Sequence, residues 1–260
     1  ERASPDERYK LWAKFRPSDA QLAAGVDPGG GLWAFHSSDG IRWHEYSGQP
    51  NPRMQWCDTQ NVFFWDDRVE QYVGYTRVRE TQVDEEAAGA GEATYRSMGR
   101  ITSPDFRSWS KTQIVLEADA DDLAIPVPYQ REGPRPNIDF YTSCAMKYAD
   151  AQDAYFMLPS AFYHWGDETK SYPYHPATND FPATMDIQLL TSRDGIDWKR
   201  AGERKPFLRR GLDGSLFGAM IYANPWPVPM GDELWLYYSG RSYTHDESWI
   251  LNTGGGDTPW

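Results

Sequence analysis

Apolar and polar residues alternate along most of this chain in short runs, and Gly, Pro, Asp and Ser bound the runs. That is the pattern of half-buried β-strands, whereas helix-period patterns are scarce. Strands are predicted at YKLWAKF, GLWAFHSS, NVFFWD, QYVGYTR, RSMGRITS, FYTSCAMKY, AYFMLPSAFY, MDIQLLTS, GAMIYANPWPV and ELWLYYSGR, in that order. EADADDLAIP reads as one turn of helix. Segments 80–95, 119–137 and 164–183 are rich in Gly, Pro and acid. They read as long loops, which on a rigid scaffold tend to carry function.

A repeat organises these strands. SSDGIRW from Ser37, SPDFRSW from Ser103 and SRDGIDW from Ser192 share the pattern Ser-x-Asp-x-x-x-Trp, with starts 66 and 89 residues apart. Asp in a tight turn accepts backbone N–H groups two or three residues on, and Gly, which follows the Asp in two of the three, permits positive φ. The Trp then opens the next strand and buries its ring between layers. Asp39, Asp105 and Asp194 are therefore expected to be structural rather than catalytic. Two further strands precede the second and third turns, one precedes the first, and a fourth unit begins at GAMIYANPWPV. Four antiparallel strands per repeat is the arithmetic of a β-propeller blade. Residues 1–260 are expected to form one all-β domain, a segment of a longer protein.

Composition narrows the partners. Aromatics make up 15% of the residues, with 12 Trp and 16 Tyr. That suits many strands and a site that stacks on the apolar faces of rings. A net charge of −12 repels phosphate backbones, so a neutral ligand is expected and nucleic acid is not. No run of about 18 apolar residues appears, so no membrane span is expected. Cys57 and Cys144 lie in strand-like stretches and read as buried thiols rather than as a disulfide or a metal pair. No cofactor or metal is expected. The opening ERASPDERYKLWAKF has no leader-like pattern. A leader removed upstream implies a secreted or periplasmic protein, its absence a cytoplasmic one. Nothing in the pattern fixes an oligomeric state.

DTQNVFFWDDRVEQYVGYTR, from Asp58 to Arg77, joined to TSPDFRSW and TSRDGIDW, resembles the five-bladed propeller glycoside hydrolases of families 32, 43, 68 and 117, and most of all the bacterial family-32-like proteins. The likeness runs from DERYKLWAKF to ELWLYYSG. It implies a five-bladed β-propeller of four-stranded antiparallel blades, incomplete at both ends in this chain. It also implies a central funnel lined by the innermost strands, with acids at the strand heads. In such a funnel a first-blade carboxylate is nucleophile or base, a second-blade Asp steadies the charged sugar, and a third-blade acid protonates the leaving oxygen. Asp58 and Asp139 lead the second- and third-blade inner strands and take the last two roles; the first-blade acid is expected ahead of Glu1. This sequence departs from family 32 in having Asp139, with Cys144 five residues on, where that family has a Glu-Cys pair.

Glycosidic cleavage passes through an oxocarbenium-like state that carboxylates stabilise, and one carboxyl must stay protonated to donate to the leaving group. Gln60 shares a strand face with Asp58 and is a candidate for binding hydroxyls. Arg77 and Arg100, on strands beside DTQNVFFWD, are candidate substrate contacts, and at least one is expected to lie near the funnel and pair with an acid from a neighbouring strand. Tyr141, His164 and Asp186 complete the candidate substrate contacts. Trp56, Trp165 and Trp226 are further stacking candidates. Three functions fit: a hydrolase of a neutral oligo- or polysaccharide, furanose units included; a propeller that binds sugar without cleaving it; and a phosphorylase using Arg77, Arg79, Arg96 and Arg100 to hold phosphate.

Overall fold

The computed structural model describes residues 3–14, 18–25, 32–46, 59–79, 96–124, 138–164, 183–212 and 214–244, with the side chains of Arg79, Leu123, Ala124 and His164 outside that description. Asp58, Cys57, Trp56 and Trp165 lie outside the described residues. In the first unit β1 (Tyr9–Lys14), β2 (Leu32–Ser37) and β3 (His44–Glu45) form a three-stranded antiparallel sheet, with Tyr9 opposite Ser37. Between β1 and β2 lies a short helix, α1 (Asp19–Ala23), which the strand pattern does not predict. It is closed by a capping box: Gln21 N–H donates to Ser18 Oγ at 3.3 Å, and Ser18 N–H donates to Gln21 Oε1 at 2.9 Å. Ser-x-x-Gln is the sequence form of that device.

The second unit is a meander of β4 (Val62–Asp66), β5 (Gln71–Arg79), β6 (Arg96–Ser103) and β7 (Gln113–Leu116), in that spatial order. The third has the same meander with a crease across it. Its first strand is split into β8 (Ile138–Phe140) and β9 (Ala145–Lys147), its second into β10 (Tyr155–Met157) and β11 (Ser160–His164), its third into β12 (Ala183–Ile187) and β13 (Leu190–Ser192), followed by β14 (Lys199–Arg200). The inner strand bends at Cys144, whose φ is 45°. Its neighbour bends at Pro159, which has no N–H to give a ladder. Backbone bonds still stitch the crease: Ser160 N–H to Thr142 O at 3.1 Å and Gln188 N–H to Pro159 O at 3.1 Å. The fourth unit supplies β15 (Met220–Ala223), β16 (Val228–Met230), β17 (Glu233–Trp235) and β18 (Tyr238–Arg241). Residues 120–124 form a 3₁₀ turn where EADADDLAIP predicts one.

The three Ser-x-Asp turns have one geometry. Asp39 Oδ1 accepts the N–H groups of Ile41 and Arg42, both at 2.8 Å. Asp105 accepts from Arg107 and Ser108, and Asp194 from Ile196 and Asp197. The preceding Ser accepts the N–H after the Asp at 2.9 Å in every case. That next residue has positive φ: Gly40 76°, Gly195 73° and, where no Gly is present, Phe106 67°. The N–H groups of Arg42 and Ile41 pull the Asp39 carboxyl down to about 2. Such a lowered acid stabilises the fold fully above its unfolded value of 3.8, and the contribution is lost as pH falls toward 2. Replacing Asp194 with Ala is expected to cost about 1 kcal/mol at neutral pH, the usual size for a lost capping carboxylate. The deficit against the parent, read by urea denaturation, shrinks as pH is lowered through 4.

The units pack against one another in chain order, and the third and fourth are also joined edge to edge, β12 pairing in parallel with β15 at Met185 and Met220. Trp12 and Leu32 of the first meet Ile101 and Phe106 of the second. Val62, Tyr75 and Met98 of the second meet Ile138, Phe140, Ala161 and Leu190 of the third. Cys144, Ile187 and Met185 of the third meet Ile221, Ala223 and Met220 of the fourth. The Trp of the second and of the third turn lean on the unit before, Trp109 on Trp12 at 4.8 Å and Trp198 on Tyr75 at 5.9 Å between ring centroids. Burial pushes the Cys144 thiol up to about 12, which makes it an inert core group.

Candidate active site at the strand heads

The first strands of the second and third units meet near their beginnings, where the end of β15 in the fourth unit joins them. Thr59 Oγ1 donates to Tyr141 O at 3.1 Å, and Gln60 Nε2 donates to Ala223 O at 3.0 Å. The segment that opens the second unit thus touches the third and fourth units within two residues. Asp58, one residue earlier, lies outside the described residues. Gln60 Oε1 is buried and has no hydrogen-bond partner among the described residues. A buried acceptor of that kind is a place for a water or a ligand hydroxyl.

Asp139 is 1% exposed. Its Oδ2 accepts from Arg96 Nη1 at 3.0 Å and from the Arg96 backbone N–H at 3.2 Å. Arg96 opens β6 opposite Arg79, so it stands at the same end of the second unit as Asn61 and Arg77. The sequence reading places Arg96 only among phosphate candidates; here it is the arginine facing the third-unit acid. Its guanidinium also lies 5.2 Å from the Tyr141 ring centroid and 4.8 Å from that of Phe162. Arg77, 3% exposed, sits over the Tyr141 ring at 5.2 Å. Tyr141 is stacked on Phe162 at 5.5 Å and 16°, so one aromatic pair supports two guanidinium groups beside a buried carboxylate.

The remaining candidates stand apart. Arg100 pairs with Tyr75 across β5 and β6, two residues further from the strand heads than Met98, the partner of Arg77. It is the cation beside the Tyr75 hydroxyl. Asp186 lies opposite Ala161 and shares a face with Phe140, whereas Asp139 lies opposite Phe162 and shares a face with Met185. Alternation therefore puts Asp139 and Asp186 on opposite faces of the sheet. The Asp186 carboxyl accepts the Arg210 N–H at 2.6 Å, and burial raises its pKa. A raised carboxyl costs stability once ionised, above its folded pKa, and costs nothing below the unfolded 3.8. Asn at 186 is thus expected to raise Tm at pH 7 by roughly 2–4 °C, about 1 kcal/mol in a domain of this length. The gain vanishes near pH 4 in a calorimetric pH series. His164 ends β11 opposite Ala183.

Units of mainly antiparallel strands, following one another in chain order, make up a nearly all-β fold. Among solved structures, the chain is similar to an N-acetylgalactosamine deacetylase from F. plautii in complex with blood group B trisaccharide, at 16% identity and TM-score 0.50 over 89% of this chain and 59% of that one. It is also similar to the β-1,2-mannobiose phosphorylase of Listeria innocua, at 15% identity and TM-score 0.45 over 83% and 49% of the two chains. An α-L-arabinanase of Penicillium chrysogenum matches at 12% identity and TM-score 0.45 over 89% and 53%. The chain spans about half to three fifths of the length of these structures. No protein-family profile matches it, and no curated protein matches it in sequence.

Proposed function

We propose that the protein is a glycoside hydrolase built on a five-bladed propeller, cleaving a neutral oligo- or polysaccharide, with arabinofuranose-type chains among the candidates. The observation that carries this reading is the meeting of Thr59 and Gln60 with Tyr141 and Ala223, beside the buried carboxylate of Asp139. Asp58 supplies the second carboxylate, held ionised against the positive charge of the sugar ring. Asp139 donates the proton to the leaving oxygen. Gln60 takes a hydroxyl, Tyr141 offers a stacking face, and Arg77 holds that face in place. His164 extends the contacts, while Arg100 and Asp186 act on the site through the strands that bear them.

The Arg96 pairing bears directly on the donor role. A guanidinium beside a carboxylate favours the ionised form, so donation requires sugar binding to draw Arg96 away from Asp139. If Arg96 stays in place, the same site binds sugar without cleaving it, and this second reading is favoured by the ion pair alone. The deciding experiment incubates the protein in its longest natural form with arabinan, galactan, xylan, mannan and β-glucan. Release of reducing ends from at least one supports hydrolysis. Binding without release supports the second reading, and phosphate-dependent release of a sugar phosphate the phosphorylase.

A further inference from the structure

Toward the far ends of β4 and β9 lies a cleft of about 570 Å³ whose lining shares no residue with the strand-head site. It is lined by Phe64, Trp65, Asp67, Lys147, Gln152 and Trp226, with the hairpin turn at 149–151 forming its rim. Along β4 the lining residues Phe64 to Asp67 lie roughly 13–23 Å of strand beyond Gln60, while in the fourth unit Trp226 follows Ala223 by three residues. The cleft draws on three units: the second through Phe64 to Asp67, the third through Lys147 to Gln152, the fourth through Trp226.

Its walls are set before any ligand arrives. Lys147 is held by Asp67 and by Asp66, the latter at 3.3 Å, and Tyr155 donates to Asp66 at 2.6 Å. Trp65 is fixed edge-on to Tyr72 at 5.0 Å. Trp226 lies between Pro225 and Pro227 with a φ of 59°, yet 45% of its surface stays open to solvent. A bulky residue with left-handed backbone is strained, and strain of this kind is retained where something keeps it. Two prolines also remove the freedom that a stacking ring would otherwise lose on binding.

We propose that this cleft is a second carbohydrate-binding site, which takes a segment of a neutral polysaccharide. Indole faces at Trp65 and Trp226 match the apolar faces of sugar rings, and Asp150 and Gln152 on the rim reach hydroxyls, the pairing of surfaces that polar-rimmed aromatic clefts offer. The lining carries Asp67 and Asp150 against Lys147 alone, and Lys147 is already engaged by two carboxylates, so an acidic glycan is disfavoured. The proposal does not depend on whether the strand-head site cleaves anything.

Affinity gel electrophoresis of the protein in gels containing arabinan, galactan, xylan, mannan, β-glucan or polygalacturonate tests it. At least one neutral polysaccharide is expected to retard the parent protein, with Trp226→Ala weakening that retardation at least 10-fold and Trp226→Phe restoring most of it. Should Trp226→Ala fail a circular-dichroism check of folding, Asp150→Ala on the exposed turn is expected to weaken retardation at least 3-fold. Retardation unchanged by the folded variants overturns the proposal, as does a parent protein retarded by no neutral polysaccharide or by polygalacturonate alone.

Discussion

Asn in place of Asp139 is expected to slow cleavage of a natural oligosaccharide about 10²–10⁴-fold, the usual contribution of a positioned general acid. An activated aryl glycoside, whose leaving group needs little protonation, should lose far less. The contrast is sharpened by Arg96, which donates to Asp139 twice. Replacing Arg96 with Gln removes that guanidinium, and the natural substrate should feel the change more than the aryl glycoside does. Equal losses on both substrates for the Asp139 variant would remove it from the donor role and leave it a fixed charge. Asn at 58 should slow both substrates, because a stabilising carboxylate acts in each. Ala at 139 serves as the stability probe: it strands the largely buried Arg96, and about 3 kcal/mol of destabilisation is expected by denaturant titration.

Gly in place of Phe106 is expected to destabilise the protein by about 2–4 kcal/mol, although Gly is the residue that the same turn uses elsewhere. Two effects oppose each other. A residue with φ of 67° is strained, and Gly relieves roughly 1 kcal/mol. The Phe106 ring, however, is fully buried against Trp12, Phe63, Tyr72 and Trp109 at centroid distances of 4.6 to 5.7 Å. Losing such a ring costs about 3–5 kcal/mol. The core term wins, and urea denaturation should show it. The converse exchange, Phe for Gly195, has no such compensation, because a Cβ there meets the Tyr75 hydroxyl at 2.7 Å.

What could be read from the sequence follows the range of the interactions. The Ser-x-Asp turns were legible because their hydrogen bonds close within three residues, and the strands because apolar alternation is local. The crease in the third unit was not: Cys144 carries a positive φ without Gly, and FYTSCAMKY reads as one strand rather than as β8 and β9. Gln60 is a candidate by alternation with Asp58 and Tyr141 by its place after Asp139, and the fold brings their segments into contact through Thr59. The partner of Asp139 was missed because Arg96 lies 43 residues away, across a segment whose length hides the register. A usable signal existed, since Arg96 opens β6 and so returns to the end of the unit where β4 begins. Asp186 was grouped with Asp139 because both precede apolar runs, and only the β11–β12 register separates their faces.

The second and third units hold one another by hydrogen bonds that run both ways. Tyr75 of the second donates to Gly195 O of the third at 2.7 Å, while Tyr155 of the third donates to Asp66 of the second at 2.6 Å. Neither unit can open without exposing the other's buried hydroxyl. The pair should therefore behave as a single cooperative block in hydrogen exchange, its amides released together by one sub-global opening. The first unit is joined to the second through the aromatic cluster around Phe106 and is free to open earlier. The converging strand heads are anchored on that block, so the residues that must keep their geometry share its expected protection from exchange.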